Sequence, residues 1–335
     1  LTKFPPEKAL PLLKKLSTDN NWQVRRTATK ALGSFPPETV LPLLEKLSND
    51  SDSSVREAVA RSLASFPPKV AFPLLEKLST DPEHYVREAI AEALASFPTE
   101  KALPLLEKLS IDSDFNVREA VAQTLSSFTP EVAIPLLEKL STDSNDYERS
   151  AAAETLTHFP YEVTLSLLEK LSNNHDYKIR LVAAKALSSF PLEKALPLLK
   201  RLSTDSNWEV RETAAETLIS FPTEITFPLL EKLSTDRDWR VRRTTTRVLA
   251  SFPPKKALPL LEKLSSDSDS SVREAAAKAL SSFPPETVLP LLEKLSTDRD
   301  WEVRRAAAES LGSFPPEKTL SLLEKLTSDR KWQVR

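Results

Sequence analysis

The sequence predicts an all-α solenoid of about eleven helix-turn-helix repeats, and three observations carry that prediction. First, a phenylalanine returns every 31 residues, at Phe4, Phe35, Phe66, Phe97, Phe128, Phe159, Phe190, Phe221, Phe252, Phe283 and Phe314, each opening a near-copy of one unit. Second, the apolar residues of a unit fall into two series at helical spacing. Third, the 27 prolines recur in register, as structural punctuation rather than as a disordered tract. A short period with no long insertion leaves each unit in contact mainly with its neighbours, so one array spans residues 1–335 without an internal domain boundary.

The first helix of a unit, helix A, is expected from about Pro6 to Leu16. Pro5 and Pro6 suit a first turn, and Ala9, Leu10, Leu12, Leu13 and Leu16 mark the apolar face. Pro11 falls inside this span, where a proline removes a donor and crowds the preceding turn at a cost of about 3 kcal/mol if unrelieved. A bend is therefore expected, and it recurs: nine of the eleven units keep this proline, with Ser166 and Ser321 as exceptions. The segment from Ser17 to Asn21 turns the chain. A second apolar series at Val24, Ala28, Leu32 and Phe35 then gives helix B. Asn21 is placed to cap it, and that register holds Asn or Asp in nine units, with Glu83 and Lys331 as departures.

Two polar registers vary least. Asp19 returns as Asp50, Asp81, Asp112, Asp205 and Asp236, among others, with Asn174 the one substitution, and Arg25 returns in all eleven units, as Arg56, Arg87, Arg118, Arg211, Arg242 and onward. An Arg fork can serve a carboxylate and turn carbonyls together, which makes this a structural ladder tying one loop to the next. A row of anion-binding arginines is the less favoured alternative, because each Arg comes with its own Asp.

The proline inside helix A, the Asp in the turn and the Val-Arg opening helix B resemble the HEAT repeat, in the short class of about 31 residues also found in phycobilin lyases. The resemblance covers all eleven units. It implies a right-handed superhelix with B helices on the concave side, and a role in binding proteins. Residues 35–48 and 283–296 both read FPPETVLPLLEKLS, which recent duplication or consensus-style design would each produce. Irregular residues such as Leu181, His158 and Thr245 favour a natural history over an engineered scaffold without a native partner.

If helix B lines a binding surface, Trp22, Gln23, Arg26 and Lys30 share its outer face. The first of these registers also holds Phe115, Tyr177, His84, Trp208, Trp239, Trp301 and Trp332. Two readings stand for it: an adhesive aromatic strip, or rings that seal the contact between repeats. The sealing role is preferred. The site is emptied to Ser53 and Ser270 without the rest of the unit changing. Arg240, Arg243 and Arg247 of the eighth unit match Glu209, Glu212 and Glu216 of the seventh, and mutual neutralisation is preferred to a basic patch for an acidic partner.

Composition narrows the remaining classes. With 46 basic and 48 acidic residues, the charge excess expected of a protein that wraps a phosphate backbone is missing, so no nucleic-acid partner is expected. No apolar run is long enough to span a bilayer and no signal-peptide pattern opens the chain, so no membrane partner and a cytoplasmic location are expected. Without cysteine there are no disulfides or thiolate sites, and two glycines, Gly33 and Gly312, cannot build a phosphate loop. His84, His158 and His175 lie in different units and registers, so neither a metal nor another cofactor is expected. Identical units supply no unique set of acid, base and nucleophile, and catalysis is not expected. A phycobilin-lyase activity would rest on family likeness alone. The most irregular stretch surrounds the fifth unit, where Thr129, Glu148 and Ser166 break the pattern and Tyr147, His158, Tyr161, His175 and Tyr177 gather. Leu1-Thr2-Lys3 matches the end of a helix B, and the chain stops at Val334-Arg335 as another begins. Both ends are thus expected to be cut within a repeat of a longer polypeptide, whose further domains join a protein or peptide as candidate partners.

Overall fold

A computed structural model describes residues 6–335. Phe4, which opens the first repeat, and Leu1-Thr2-Lys3 lie outside the described residues. Among the described residues there are twenty-one α-helices, three short 3-10 turns and no strand, giving an all-α solenoid. Helix A of the first repeat is Pro6–Leu16 and helix B is Trp22–Leu32, and the alternation continues to the eleventh helix A, Pro316–Leu326. Helix A runs unbroken through its interior proline. Pro42, Pro73 and Pro104 lie on its exposed side, where the carbonyl deprived of its partner is open to water. All nine Asn and Asp residues before helix B cap it, as Asn21 does for the Gln23 amide at 2.9 Å, whereas Glu83 makes no side-chain cap.

Backbone contacts group the chain into two compact blocks, one ending at Leu167 and the other starting at Leu168, a division inside the sixth helix A, Tyr161–Leu171. In the first block the core is built from one residue set per repeat, for example Val40, Leu44, Val55, Val59, Leu63 and Phe66, all essentially buried. The second block repeats it with Ala257, Leu261, Val272, Ala276, Leu280 and Phe283. Each large side chain so covered contributes about 1.5–3 kcal/mol. Within each block, successive B helices approach far more extensively than successive A helices. The reason is local: alanines such as Ala58, Ala60, Ala89 and Ala91 leave B-helix backbones no bulk to keep them apart.

Two ladders of polar contacts run between repeats inside the blocks. Arg25 forks onto the carboxylate of the next repeat, Nε and Nη2 each donating to Asp50 at 2.7 Å, while Nη1 donates to the carbonyls of Asp19 and Asn20. Arg56 to Asp81, Arg87 to Asp112, Arg211 to Asp236 and Arg242 to Asp267 repeat this geometry at 2.6–2.8 Å. The carboxylate partner is thus the Asp of the following turn; the Arg meets its own repeat's Asp only at the backbone carbonyl. Asp50 in turn accepts the Asp52 amide. Burial pushes the Asp50 carboxyl up, but the Arg25 fork and the Asp52 amide outweigh it and hold the group below its ordinary range, and Asp112, Asp205, Asp236, Asp267 and Asp298 behave alike. The second ladder is made of buried hydroxyls: Ser62, Thr124, Thr155, Thr217 and Ser310 donate to the carbonyls of Thr29, Ala91, Ala122, Ala184 and Ala277, each on the preceding B helix.

Candidate functional site

Capping and the two ladders fix each helix B by one side, which leaves four registers of its outer face for other work. In the first block Trp22, Gln23 and Lys30 are exposed, and Arg26 is half-buried beside Glu57 at 3.4 Å. Glu57 also accepts from Arg61 at 2.9 Å, and Arg61 reaches on to Glu92. The third repeat adds Glu88, whose carboxyl is pushed up by burial and then by the neighbouring Glu92 charge. His84 stands 3.7 Å from Asp114, and Phe115 stacks on Tyr147 with ring centres 5.5 Å apart.

The second block carries the densest cluster of cations and rings. Arg240 lies 4.3 Å over the ring of Trp208 and 5.0 Å from that of Trp239, and Arg243 lies 5.0 Å over Trp239 as well. Planar cations over indole faces gain quadrupole attraction while keeping their edge N–H groups available. Of the matched Glu and Arg rows, only Glu212 and Arg243 come within ion-pair range, at 3.8 Å. Glu212 accepts instead from the Thr244 hydroxyl at 2.8 Å, Arg240 turns to Trp208 and Asp238, and Arg247 forms neither an ion pair nor a hydrogen bond. The expected mutual neutralisation is therefore replaced in two of its three pairs. Stacking on Trp208 removes Arg240 from Glu209. Glu216, pushed up by burial and then by Glu212, feels Arg247 only through space.

The aromatic register proves to be intermediate between its two readings. Trp22 is 38% exposed and Trp332 is 73% exposed, while Phe115, Tyr177, Trp208, Trp239 and Trp301 are half-buried. A pattern hidden from the sequence explains the cover. The residue at the first register meets the one 32 positions on, as in Phe115 with Tyr147, Trp208 with Arg240, and Ser53 with Tyr85. Trp22, whose neighbour is Ser54, stays open, whereas Trp239, whose neighbour is Ser271, is covered by Arg240 and Arg243 of its own helix.

The ladder arginines are spent on the fold. Nε, Nη1 and Nη2 of Arg25 or Arg242 all have partners, so these side chains offer an external anion no free fork. The fifth repeat is where the ladder deforms. Glu148 occupies the usual valine register at 0% exposure, paired to Arg118, which also lies 3.5 Å from Asp143. Arg149, 3% exposed, turns to the Asp143 carbonyl and to Asp146. This irregular repeat thus buries the Glu148 carboxylate against Arg118, while Asp146 beside Arg149 stays exposed. Among the described residues no three His, Asp or Glu side chains converge as metal ligands, and no helix is long and apolar enough to cross a membrane.

Comparison with known proteins gives a consistent picture. The HEAT repeats family matches over residues 9–95, 71–157, 135–219, 164–244, 226–300 and 288–335, nearly the whole chain. No curated protein sequence matches significantly. Among solved structures, the karyopherin Kap121p bound to the extreme C-terminus of the phosphatase Cdc14p is similar with a TM-score of 0.64 at 17% identity, covering 98% of this chain and 45% of that one. Kap121p bound to Pho4p gives 0.63 at 16% identity, over 97% and 44%, and Kap95p gives 0.60 at 14%, over 98% and 52%. The chain thus spans about half or less of the length of these karyopherins, and the likeness is one of fold.

Proposed function

This chain belongs to the family of HEAT repeats, and on that premise we propose that it is a protein-binding scaffold that engages its partner through the outer face of its B helices and carries out no reaction of its own. One observation supports this above the rest. The conserved polar registers are consumed by contacts between repeats, whereas the registers of Trp22, Gln23, Arg26 and Lys30 change from repeat to repeat and keep exposed or half-exposed side chains. A face that is preordered by helix packing and varied in chemistry lowers the ordering cost of binding and lets weak contacts add along an extended partner. The karyopherin Kap121p, of similar fold, is bound in these structures to Pho4p and to the extreme C-terminus of Cdc14p, and a polypeptide is the kind of ligand such a face suits.

The test is positional. A photo-crosslinking residue placed at Lys30, Glu92 or Glu309 on B helices is expected to give partner adducts, and one at Glu45, Glu76 or Lys232 on exposed A-helix positions is not. Adducts confined to the A positions, or equal on both faces, overturn the reading.

A further inference from the structure

The eighth repeat is the only one whose second, third and fourth face registers are all basic, Arg240, Arg243 and Arg247. Between its helix B, Trp239–Leu249, and that of the ninth repeat, Ser270–Leu280, lies an open groove of about 480 Å³ lined by Arg243, Arg247, Ser271, Glu274 and Lys278. Three cations there face one carboxylate. Glu274 is already engaged by Lys278 at 2.6 Å, and Arg305 stands 3.9 Å away. Arg247 is exposed and unpaired. Arg243 has Glu212 only at 3.8 Å, and its Nε is shielded from solvent without a hydrogen-bond partner. The indoles of Trp208 and Trp239 hold Arg240 and Arg243 in place, so their unused edge donors are ordered before any ligand arrives.

We propose that this groove between the eighth and ninth repeats binds an acidic segment of a partner polypeptide, Arg243, Arg247 and Lys278 receiving its carboxylates beside the Trp239 ring. The proposal rests on the B face being the docking face and names the chemistry it selects there. Glu209, Glu212 and Glu216 line the seventh repeat and repel an anion, which directs the ligand onto the ninth-repeat side. The basic stretch is correspondingly short: two adjacent helices span about 20 Å, and in the tenth repeat Glu302 and Glu309 follow, with Arg305 drawn to Glu274 and Glu309. A nucleic acid continues past such a stretch into repulsive carboxylates, while a short acidic peptide ends within it. Arginine forks on carboxylates are moreover the pairing this fold already uses in its ladder.

The experiment is fluorescence anisotropy with a dye-labelled peptide of about eight residues alternating Glu and Ser, its Gln-for-Glu counterpart, and a duplex DNA, the length chosen for the two-helix span. The Glu peptide is expected to bind, to weaken with salt, and to lose about tenfold or more with Arg243→Ala/Arg247→Ala. Glu212→Gln, which releases Arg243, is expected to tighten it. Arg247→Ala and Lys278→Ala alone must shift binding in the same direction, which keeps the test valid if the double variant folds poorly. Equal binding of the Gln peptide, unchanged binding by the folded variants, or tighter binding of the DNA overturns the proposal. None of those outcomes touches the crosslinking pattern, by which the docking-face reading is judged separately.

Discussion

The direction of the Arg-Asp ladder makes a quantitative prediction at the rung between Arg242 and Asp267. Arg242 donates to Asp267 through Nε and Nη2 at 2.7 Å and to the Asp236 carbonyl through Nη1 at 2.8 Å, and the two side chains are only 13% and 11% exposed. Breaking a fully buried pair costs about 3–5 kcal/mol, and an exposed one is worth about 0–1 kcal/mol. A rung that is mostly covered at the rim of the stack falls between, so Arg242→Ala is expected to cost about 2–4 kcal/mol, including the stranded Asp267 carboxylate. The sharper number is a coupling. In a double-mutant cycle Arg242 and Asp267 should interact by about 1.5–3 kcal/mol, whereas Arg242 and the Asp236 side chain should couple by less than about 0.5 kcal/mol, because Asp236 hydrogen-bonds Arg242 only with its backbone and its carboxylate acts on Arg242 only through space. Long arrays do not unfold in one step, so the assay is native-state hydrogen exchange in Trp239–Leu249 and Ser270–Leu280 rather than a global melt. Coupling of equal size for both aspartates, or none for Asp267, refutes a ladder that runs from each repeat to the next.

The same ladder predicts acid lability with a definite sign. Asp50, Asp112, Asp205, Asp236, Asp267 and Asp298 have folded pKa values below their unfolded ones, as does Asp329, lowered to about 2, where the Arg304 hydrogen bond dominates. Their stabilisation is therefore present above the unfolded value near pH 4 and is lost as pH falls from there through the folded values, a fall that circular-dichroism melts between pH 6 and 2 would record. Glu148 runs the other way. Burial first and then Asp143 push its carboxyl up, so its ionisation weakens the fold as pH rises through the raised value, and Glu148→Val, which leaves Arg118 to close on Asp143 from 3.5 Å as in the other rungs, is expected to stabilise by about 1–3 kcal/mol at neutral pH. Finally, Gly312→Ala places its new methyl in open space at a helix end and should gain about 0.5–1 kcal/mol. Gly33→Ala should gain less or lose, since its methyl meets the Ser62 Cβ at 3.1 Å; thermal denaturation of the two variants separates them.

Most of the architecture could be derived before the structure because repetition multiplies each weak signal. One Asn before an apolar helix is a modest hint of a cap; nine in one register leave little room for another reading, and all nine do cap. What escaped depends on how one repeat sits against the next. Arg25 lies six residues after Asp19 and twenty-five before Asp50, and both spacings are compatible with the sequence; only packing selects the second. The hydroxyl ladder was masked because Ser62 and Thr155 share their register with Ala93 and Val248, so the position looks merely small and tolerant. Enclosure of Glu148 escaped for the opposite reason. A single carboxylate in a valine register carries no repeated partner to announce that it is enclosed with Arg118.

The face also follows from this division between contacts along the stack and contacts within it. A register whose side chain is a partner in the next repeat cannot change alone, since altering Asp267 strands Arg242, and altering Arg242 strands Asp267. Such positions are tied in pairs and drift little. The face registers are tied weakly or not at all: Arg247 has no partner, Ser53 and Ser270 replace large rings, and Glu57 gives way at the same place to Leu181 or Arg243. Their freedom costs the fold little, because solvated contacts there contribute about 0–1 kcal/mol each. It follows that charge on this face can be rewritten one repeat at a time without disturbing the stack, so that Arg247→Glu should change what the surface attracts while leaving exchange protection in Ser270–Leu280 as it was. A loss of protection there would mean that the face helps to hold the fold, and that binding and stability are coupled in this chain after all.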